Sequence, residues 1–354
     1  MARLLAERGA EVRVTHRDPA RLSRLGDVPV TPIEADVLDR AALRRAFRGA
    51  RLVFHGAGVV ATRPADWVWK VNALAPRLAV EAAAAEGVER VVLTSSVGGV
   101  GPVTHGRAGR EEDVYRGGGL GLTYVDSKHE GESEALAAAA RCGIEVVVVN
   151  PSYVLGVPVN RSEPGETSTR IVGNYLRGRL PAIVDGATNI VHVEDAALGH
   201  LLAAERGRPG ERYILGGENV RWVDLVERVS KLAGIRHPVL VIPRDIAAAI
   251  ATAGSVSGGV IISPEAFALM AQDWRYSSQK AKKELGYEPR GLADTLRETV
   301  EWYMELIRSG ALAGGRPSAM SLGSLGVRLA ARAGGLRVVH AVEAWTGRRL
   351  VAVG

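Results

Sequence analysis

Short β-branched runs recur along the first 150 residues, each followed by a longer stretch of helical periodicity, and this alternation constrains the fold more than any other feature. Glu11–Thr15, Val30–Glu34, Arg51–His55, Arg90–Thr94 and Glu145–Val149 predict strands. Helices are predicted over Asp39–Phe47, Ala65–Ala85 and Tyr124–Ala140, where apolar residues return at three- and four-residue spacing. Strands alternating with helices of this length specify an α/β fold, a doubly wound parallel sheet with crossover helices on both faces.

After Asn150-Pro151 the rhythm loosens into Gly- and Pro-rich sequence, which marks a smaller second lobe. We divide the chain into a first unit over 1–150, a smaller lobe over 151–310, and a linker with basic extension over 311–354. The lobes are expected to interleave: Asn189–Glu194 reads as a strand running into a helix capped by Asp195, and Arg212–Leu215 as a further strand, so 189–215 returns to the sheet. Leu292–Ile307 reads as a terminal helix.

Charge and cysteine content exclude several classes. The net charge is +6, but residues 315–354 hold Arg316, Arg328, Arg332, Arg337, Arg348 and Arg349 against Glu343 alone. The remaining body is almost neutral and offers no basic reading face, so no nucleic-acid partner is expected. Cys142 is the single cysteine, which precludes an internal disulfide or a thiolate metal cluster, and no metal site is expected. A reducing, cytoplasmic compartment fits. The chain opens on a charged amphipathic stretch rather than an apolar leader. The uncharged run Ile246–Ser263 is broken by Ala253–Gly259 and bracketed by Pro243 and Pro264, so it reads as a helix and loop, not a stable membrane insertion. Residues 319–345 have weak helical periodicity and read as a poorly ordered tail; the alternative is an amphipathic arm for an anionic membrane or a partner.

The chemistry is concentrated in Thr94-Ser95-Ser96, at the end of a strand, and Tyr124-Val125-Asp126-Ser127-Lys128, at the start of a helix. Tyr and Lys four apart share a helix face. An adjacent ammonium favours the phenolate and is expected to lower the phenol's pKa, making Tyr124 a usable general acid and base. A serine at the strand's carboxyl end holds the substrate oxygen, where ligands collect in open parallel sheets. Tyr276 and Lys280 repeat the spacing without an upstream strand ending in serines, and serve as an internal control.

With these residues in place, the chain resembles the extended short-chain dehydrogenase/reductase family (the NAD-dependent epimerase/dehydratase superfamily), in its dihydroflavonol-4-reductase-like and hydroxysteroid-dehydrogenase-like branch. The resemblance runs from Met1 to about Gly310. It rests on an ordered set: Ala35-Asp36-Val37-Leu38-Asp39, His55-Gly56-Ala57-Gly58, Val71-Asn72, Leu93–Val97, Tyr124–Lys128, Asn150-Pro151-Ser152-Tyr153-Val154-Leu155-Gly156, Ile190–Asp195 and Tyr213–Asn219.

The resemblance implies a Rossmann-like, dinucleotide-binding sheet in 1–150, a substrate-binding lobe in 151–310, and a homodimer. It makes Tyr124 the general acid, with Lys128 holding the nicotinamide ribose and tuning Tyr124. Ser96 then binds the reacting oxygen, with Ser95 in reserve. Asp36 and Val37 meet the adenine, Gly56 and Ala57 approach the cofactor by their backbone, Pro151 lines it, and Tyr153 joins Ser96 and Tyr124 at the substrate. Asn72 either shapes the site or sits on a helix surface. His192 reads as a satisfied structural histidine. Gly101–Leu122 reads as a mobile substrate loop. Arg17, after the first strand, suits the 2′-phosphate of NADP, although Asp18 beside it leaves NAD open.

The family opens with a strand and a glycine-rich turn; no GxxGxxG or GxGxxG spacing occurs here, and Met1 falls in what resembles the first helix. We therefore expect the first strand to be missing, about 20 residues lying upstream of a late start or lost from a truncated copy. The expected activity is hydride transfer between a nicotinamide cofactor and a small hydrophobic ketone or secondary alcohol. Nucleotide-sugar epimerisation or dehydration is the alternative, with Arg170, Arg177 and Arg179 as diphosphate ligands. From another class, a non-catalytic dinucleotide-binding protein remains open.

Overall fold

The computed structural model describes residues 1–61, 63–104, 106–163, 167–249, 264–312 and 319–353. Most of the Ile246–Ser263 run lies outside the described residues, and among those described no helix is long and apolar enough to cross a membrane. The first unit runs α1 (Ala2–Glu7), β1 (Arg13–His16), β2 (Thr31–Glu34), α2 (Arg40–Phe47), β3 (Leu52–His55), α3 (Ala65–Trp69), α4 (Ala75–Ala85), β4 (Arg90–Thr94), α5 (Val97–Val100), α6 (Thr123–Cys142) and β5 (Glu145–Pro151). All five strands anticipated from β-branched runs are present, and Asp39 caps α2 by accepting from the Ala41 and Ala42 amides.

β3, β4, β5 and β9 (Arg212–Leu215) form a parallel sheet in that order. The middles of its strands are apolar on both sides because both faces are covered. Val53, Val91, Leu93, Val146 and Val148 pack with α2, α4 and α6. Their alternates Phe54, Val92, Val147 and Val149 pack with α8 (Val193–Arg206) and α10 (Gln279–Leu285). β1 and β2 pair only with each other, in parallel. Among the described residues β1 and β3 each therefore keep one edge without a strand partner. Parallel order and helices on both faces make this the α/β Rossmann-like arrangement.

The second lobe adds β6 (Tyr153–Leu155), α7 (Arg170–Leu176), β7 (Ala182–Val184), β8 (Ala187–His192), β10 (Glu218–Arg221), α9 (Trp222–Ala233), β11 (Val239–Ile242), β12 (Asp273–Trp274) and α11 (Leu292–Arg308). Of the segment expected back at the sheet, Arg212–Leu215 joins it as β9, whereas β8 pairs with β6, β10 and β12 in a separate sheet. The cap of α8 is His192, whose Nδ1 accepts from the Glu194 amide, and not Asp195, which is bound by Arg290. His192 Nε2 meets Glu298 at 3.1 Å, so this imidazole has partners at both nitrogens.

Residues 319–353 do not behave as a tail. They form α12 (Ala319–Arg332), α13 (Gly335–Thr346) and β13 (Val351–Ala352), which pairs antiparallel with β11. Glu343 accepts from the Leu350 and Val351 amides and Arg348 bridges to Asp245, contacts that no local periodicity could announce.

Candidate active site

β4 delivers Ser95 and Ser96 to the carboxyl edge of the sheet, and the first turns of α6 deliver Tyr124 and Lys128 beside them. Ser96 has an extended backbone and caps α5, its Oγ accepting from the Gly98 amide at 3.1 Å. The Tyr124 phenol lies beside this side chain, which acts on its titration. A Cβ on Gly98 would lie 3.4 Å from the Tyr124 ring and 3.5 Å from Ser96 Oγ, so glycine keeps the space over both clear. Lys128 is buried, with Nζ 3.4 Å from the Thr94 carbonyl. The turn after β3 runs along it: a Cβ on Gly58 would come within 2.9 Å of Nζ.

The electrostatics correct one expectation. Burial pushes the Tyr124 phenol above its ordinary range, and the hydrogen bond with Ser96, not the Lys128 ammonium, pulls it back. Lys128 itself is lowered to about 8, chiefly by burial, with the Glu132 carboxylate acting in the opposite direction. A lysine that loses its proton earlier folded than unfolded makes stability rise with pH between about 8 and its ordinary 10.5. Below that window the buried charge destabilises. Thermal unfolding of Lys128→Met against the parent should show this rise in the parent alone, and parallel curves would refute it.

The two serines, equivalent by sequence, are separated by the fold. Ser95 Oγ is buried and donates to Glu132 Oε1 at 2.5 Å, which removes it from the site. Glu132 also accepts from Asn150 Nδ2 at 2.6 Å and from Arg212 at 3.2 Å. Asn150 in turn donates to the Ser96 carbonyl at 2.8 Å. This buried network ties α6 to the ends of β4, β5 and β9 and holds Ser96 in place; nothing in the sequence order announces it.

Asn72 is buried, not on a helix surface. The predicted Ala65–Ala85 helix contains one π-turn over Lys70–Leu74, and Asn72 lies in it. Its carboxamide exchanges two hydrogen bonds with the Val59 backbone, both 2.9 Å, and donates to Ser127 Oγ at 3.1 Å. The turn after β3 is thereby pinned to α6. Gly131 makes this possible, because a Cβ there would lie 2.1 Å from the Asn72 carbonyl oxygen. Backbone cannot yield as a side chain can, so Gly131→Ala is expected to lose about 1–3 kcal/mol in denaturant unfolding. An unchanged midpoint would contradict this contact.

At the far end of the sheet, Arg17 lies 3.6 Å from Asp36 and its guanidinium sits 5.1 Å over the Trp67 ring. Asp36 also accepts from the Leu38 amide, as a turn residue would, with half-buried Val37 between them. Trp67 escaped the sequence reading because only the fold brings α3 to the end of β1. His55 was read only as part of a motif. It is buried beside Lys128, held neutral with a pKa near 4 by burial and by that ammonium, and its Nε2 lacks a hydrogen-bond partner.

Of the other expected residues, Pro151 stays at the carboxyl edge of the sheet and the rest fall elsewhere. Pro151 ends β5, buried. Tyr153 donates to the Ser168 carbonyl at 2.9 Å and stands edge-on to Trp222, in the core of the second lobe rather than against Ser96 or Tyr124. Tyr276 is buried with its hydroxyl donating to Gly101 O, while Lys280 binds Glu211 and the Arg212 carbonyl. The control pair therefore shares a spacing and nothing else. Described residues of Gly101–Leu122 make contacts outside the segment: Val103 bridges to Asp273, Tyr115 stacks on His129 at 3.9 Å, and Glu111 accepts from the Ile214 amide.

Known proteins resemble this chain in sequence and in fold. A putative dihydroflavonol 4-reductase from Synechocystis is 29% identical over 86% of this chain and 90% of its own length. A cinnamoyl-CoA reductase 1 from Oryza sativa is 32% identical, covering 83% of each. A nucleoside-diphosphate-sugar epimerase structure from Pseudomonas aeruginosa superposes with a TM-score of 0.71 at 27% identity, over 88% of this chain and 93% of that one. The profile described as the NAD dependent epimerase/dehydratase family matches residues 1–216. The chain belongs to the NAD dependent epimerase/dehydratase family.

Proposed function

We propose that this protein is an NADP-preferring reductase of the dihydroflavonol-4-reductase type, acting between a ketone and the corresponding secondary alcohol. The observation that carries the proposal is the buried Tyr124 phenol beside Ser96, with Gly98 keeping the space over both clear and Lys128 one helical turn away. The residues present suit a dinucleotide at both ends. Arg17, Asp36, Val37 and Trp67 would hold its adenosine end. The side-chain-free positions Gly56 and Gly58, with Ala57, Pro151 and Lys128, would hold the nicotinamide ribose. When bound, the nicotinamide supplies or accepts the hydride.

The protein's own residues manage the proton. In reduction the Ser96 hydroxyl donates a hydrogen bond to the carbonyl oxygen, and Tyr124 transfers its phenolic proton to that oxygen as it gains charge. A phenol that burial keeps protonated is suited to this direction, and the Ser96 hydroxyl, which draws the phenol back toward its ordinary range, favours the phenolate left behind. Nucleotide-sugar epimerisation would use the same three groups and is favoured by the Pseudomonas similarity. Against it, Arg177 is already committed to the Leu312 carbonyl. Turnover of NADPH with a panel of aryl and alicyclic ketones, set against nucleotide sugars, separates the two; activity with the sugars alone would overturn our choice.

Arg17 carries the cofactor preference, as the guanidinium placed to meet a 2′-phosphate. Arg17→Ala should raise the KM for NADPH about tenfold or more while changing that for NADH little. Equal changes for both would remove the NADP assignment. We further propose a cytoplasmic homodimer packed through α4 and α6, for which the mass in solution by light scattering is the test.

A further inference from the structure

Helix α12 is turned inside out relative to a normal surface helix. Its body-facing side carries Ser324, 1% exposed, and Arg328, whose guanidinium lies against Gly178 and His237. Its outward side carries Leu322, Leu325 and Leu329, 59%, 45% and 54% exposed. Three leucines at i, i+3 and i+7 on the solvent side reverse the polarity that burial in a core would select. In α13, Val338, Val342 and Trp345 repeat the pattern at i, i+4 and i+7, with Trp345 the most exposed large apolar side chain described.

The charge on this hairpin is one-sided. Arg332 and Arg337, both exposed, flank the turn between the helices. Glu343 is the only acidic residue from Ala319 to Thr346, and it is held inward by the Leu350 and Val351 amides. Arg348 and Arg349 are spent on Asp245 and Glu227, where they fasten the far end to the body. With β13 locked to β11, the hairpin is a mounted surface.

From this we infer that the α12–α13 hairpin docks the protein on an anionic phospholipid bilayer, its leucines, valines and Trp345 entering the interface and Arg332 and Arg337 meeting the headgroups. Apolar residues, a terminal tryptophan and basic residues free of acidic neighbours are the combination an interfacial helix needs. A second copy of this chain would bring the same positive charge against itself, which disfavours self-association through this face. The inference is independent of the proposed reaction, since none of these residues belongs to the active site.

The full chain should co-sediment with vesicles of mixed phosphatidylglycerol and phosphatidylcholine, and not with phosphatidylcholine alone, with binding weakened by salt. Arg332→Gln combined with Arg337→Gln should reduce partitioning about 30-fold. Leu325→Glu with Leu329→Glu should abolish it, with an unchanged melting temperature showing that the fold persists. Lipid should shift tryptophan emission to the blue in the parent but not in Trp345→Phe. Equal binding to neutral and anionic vesicles, no binding to either, or undiminished binding by the two double variants would each overturn the inference. So would a dimer that Leu325→Glu with Leu329→Glu dissociates, which would assign the face to a second copy.

Discussion

Tyr124→Phe is expected to lower NADPH-coupled turnover by about 10²–10⁴-fold, because the variant keeps the ring and loses only the transferable proton. The substituted ring still occupies the space beside Gly98, so the fold should survive. Losing the interaction between the hydroxyl and Ser96 costs no more than about 1 kcal/mol, small against a domain's stability. The measurement is steady-state absorbance of the reduced nicotinamide, with cofactor binding followed separately by fluorescence. Binding retained with turnover lost is the predicted pattern. Rates within twofold of the parent would remove Tyr124 from the chemistry and leave a dinucleotide-binding protein without this catalytic acid.

The largest effect on stability should come from Glu132→Ala. Glu132 is 4% exposed and is met by Ser95, Asn150 and Arg212 from three different strand ends. Removing it takes the acceptor from the buried Ser95 hydroxyl, one of two from Asn150, and the carboxylate that faces the Arg212 guanidinium, leaving the latter only the Glu111 and Asp113 carbonyls. Breaking a buried pair in this way costs about 3–5 kcal/mol, more than most single substitutions. Glu132→Gln, which keeps an acceptor for Ser95 and Asn150 but not the charge facing Arg212, should fall between Ala and the parent. Urea unfolding read by circular dichroism tests the series, and an Ala variant within about 1 kcal/mol of the parent would show that the network carries little stability. Because Asn150 also holds the Ser96 carbonyl, the Gln variant should lower kcat more than it raises KM.

Much of the first unit was legible in advance because its information is local. Strands β1 to β5 are runs of branched residues, and α2 begins where an aspartate can cap it. The Tyr124–Lys128 pair is visible because one helical turn places both on one face whatever surrounds the helix. The π-turn at Lys70–Leu74 was not legible: its cause is Asn72 reaching Val59 and Ser127, residues that no short window contains. The extension was misjudged for the same reason, since helical periodicity over 319–345 is weak and its anchor is a two-residue strand on β11.

Residue order alone was enough for the α/β class, the succession of strands in the first unit, and the placing of a phenol and an ammonium on one side of a helix. Those follow from backbone geometry and from the period at which apolar side chains recur. Folding in three dimensions was needed to set Ser96 apart from Ser95, to bury Asn72 and Glu132, to send Tyr153 to another core, to push the Tyr124 phenol above its ordinary range, and to turn the leucines of α12 outward. Each depends on contacts between residues tens of positions apart or on removal from water, and only the packed chain sets either.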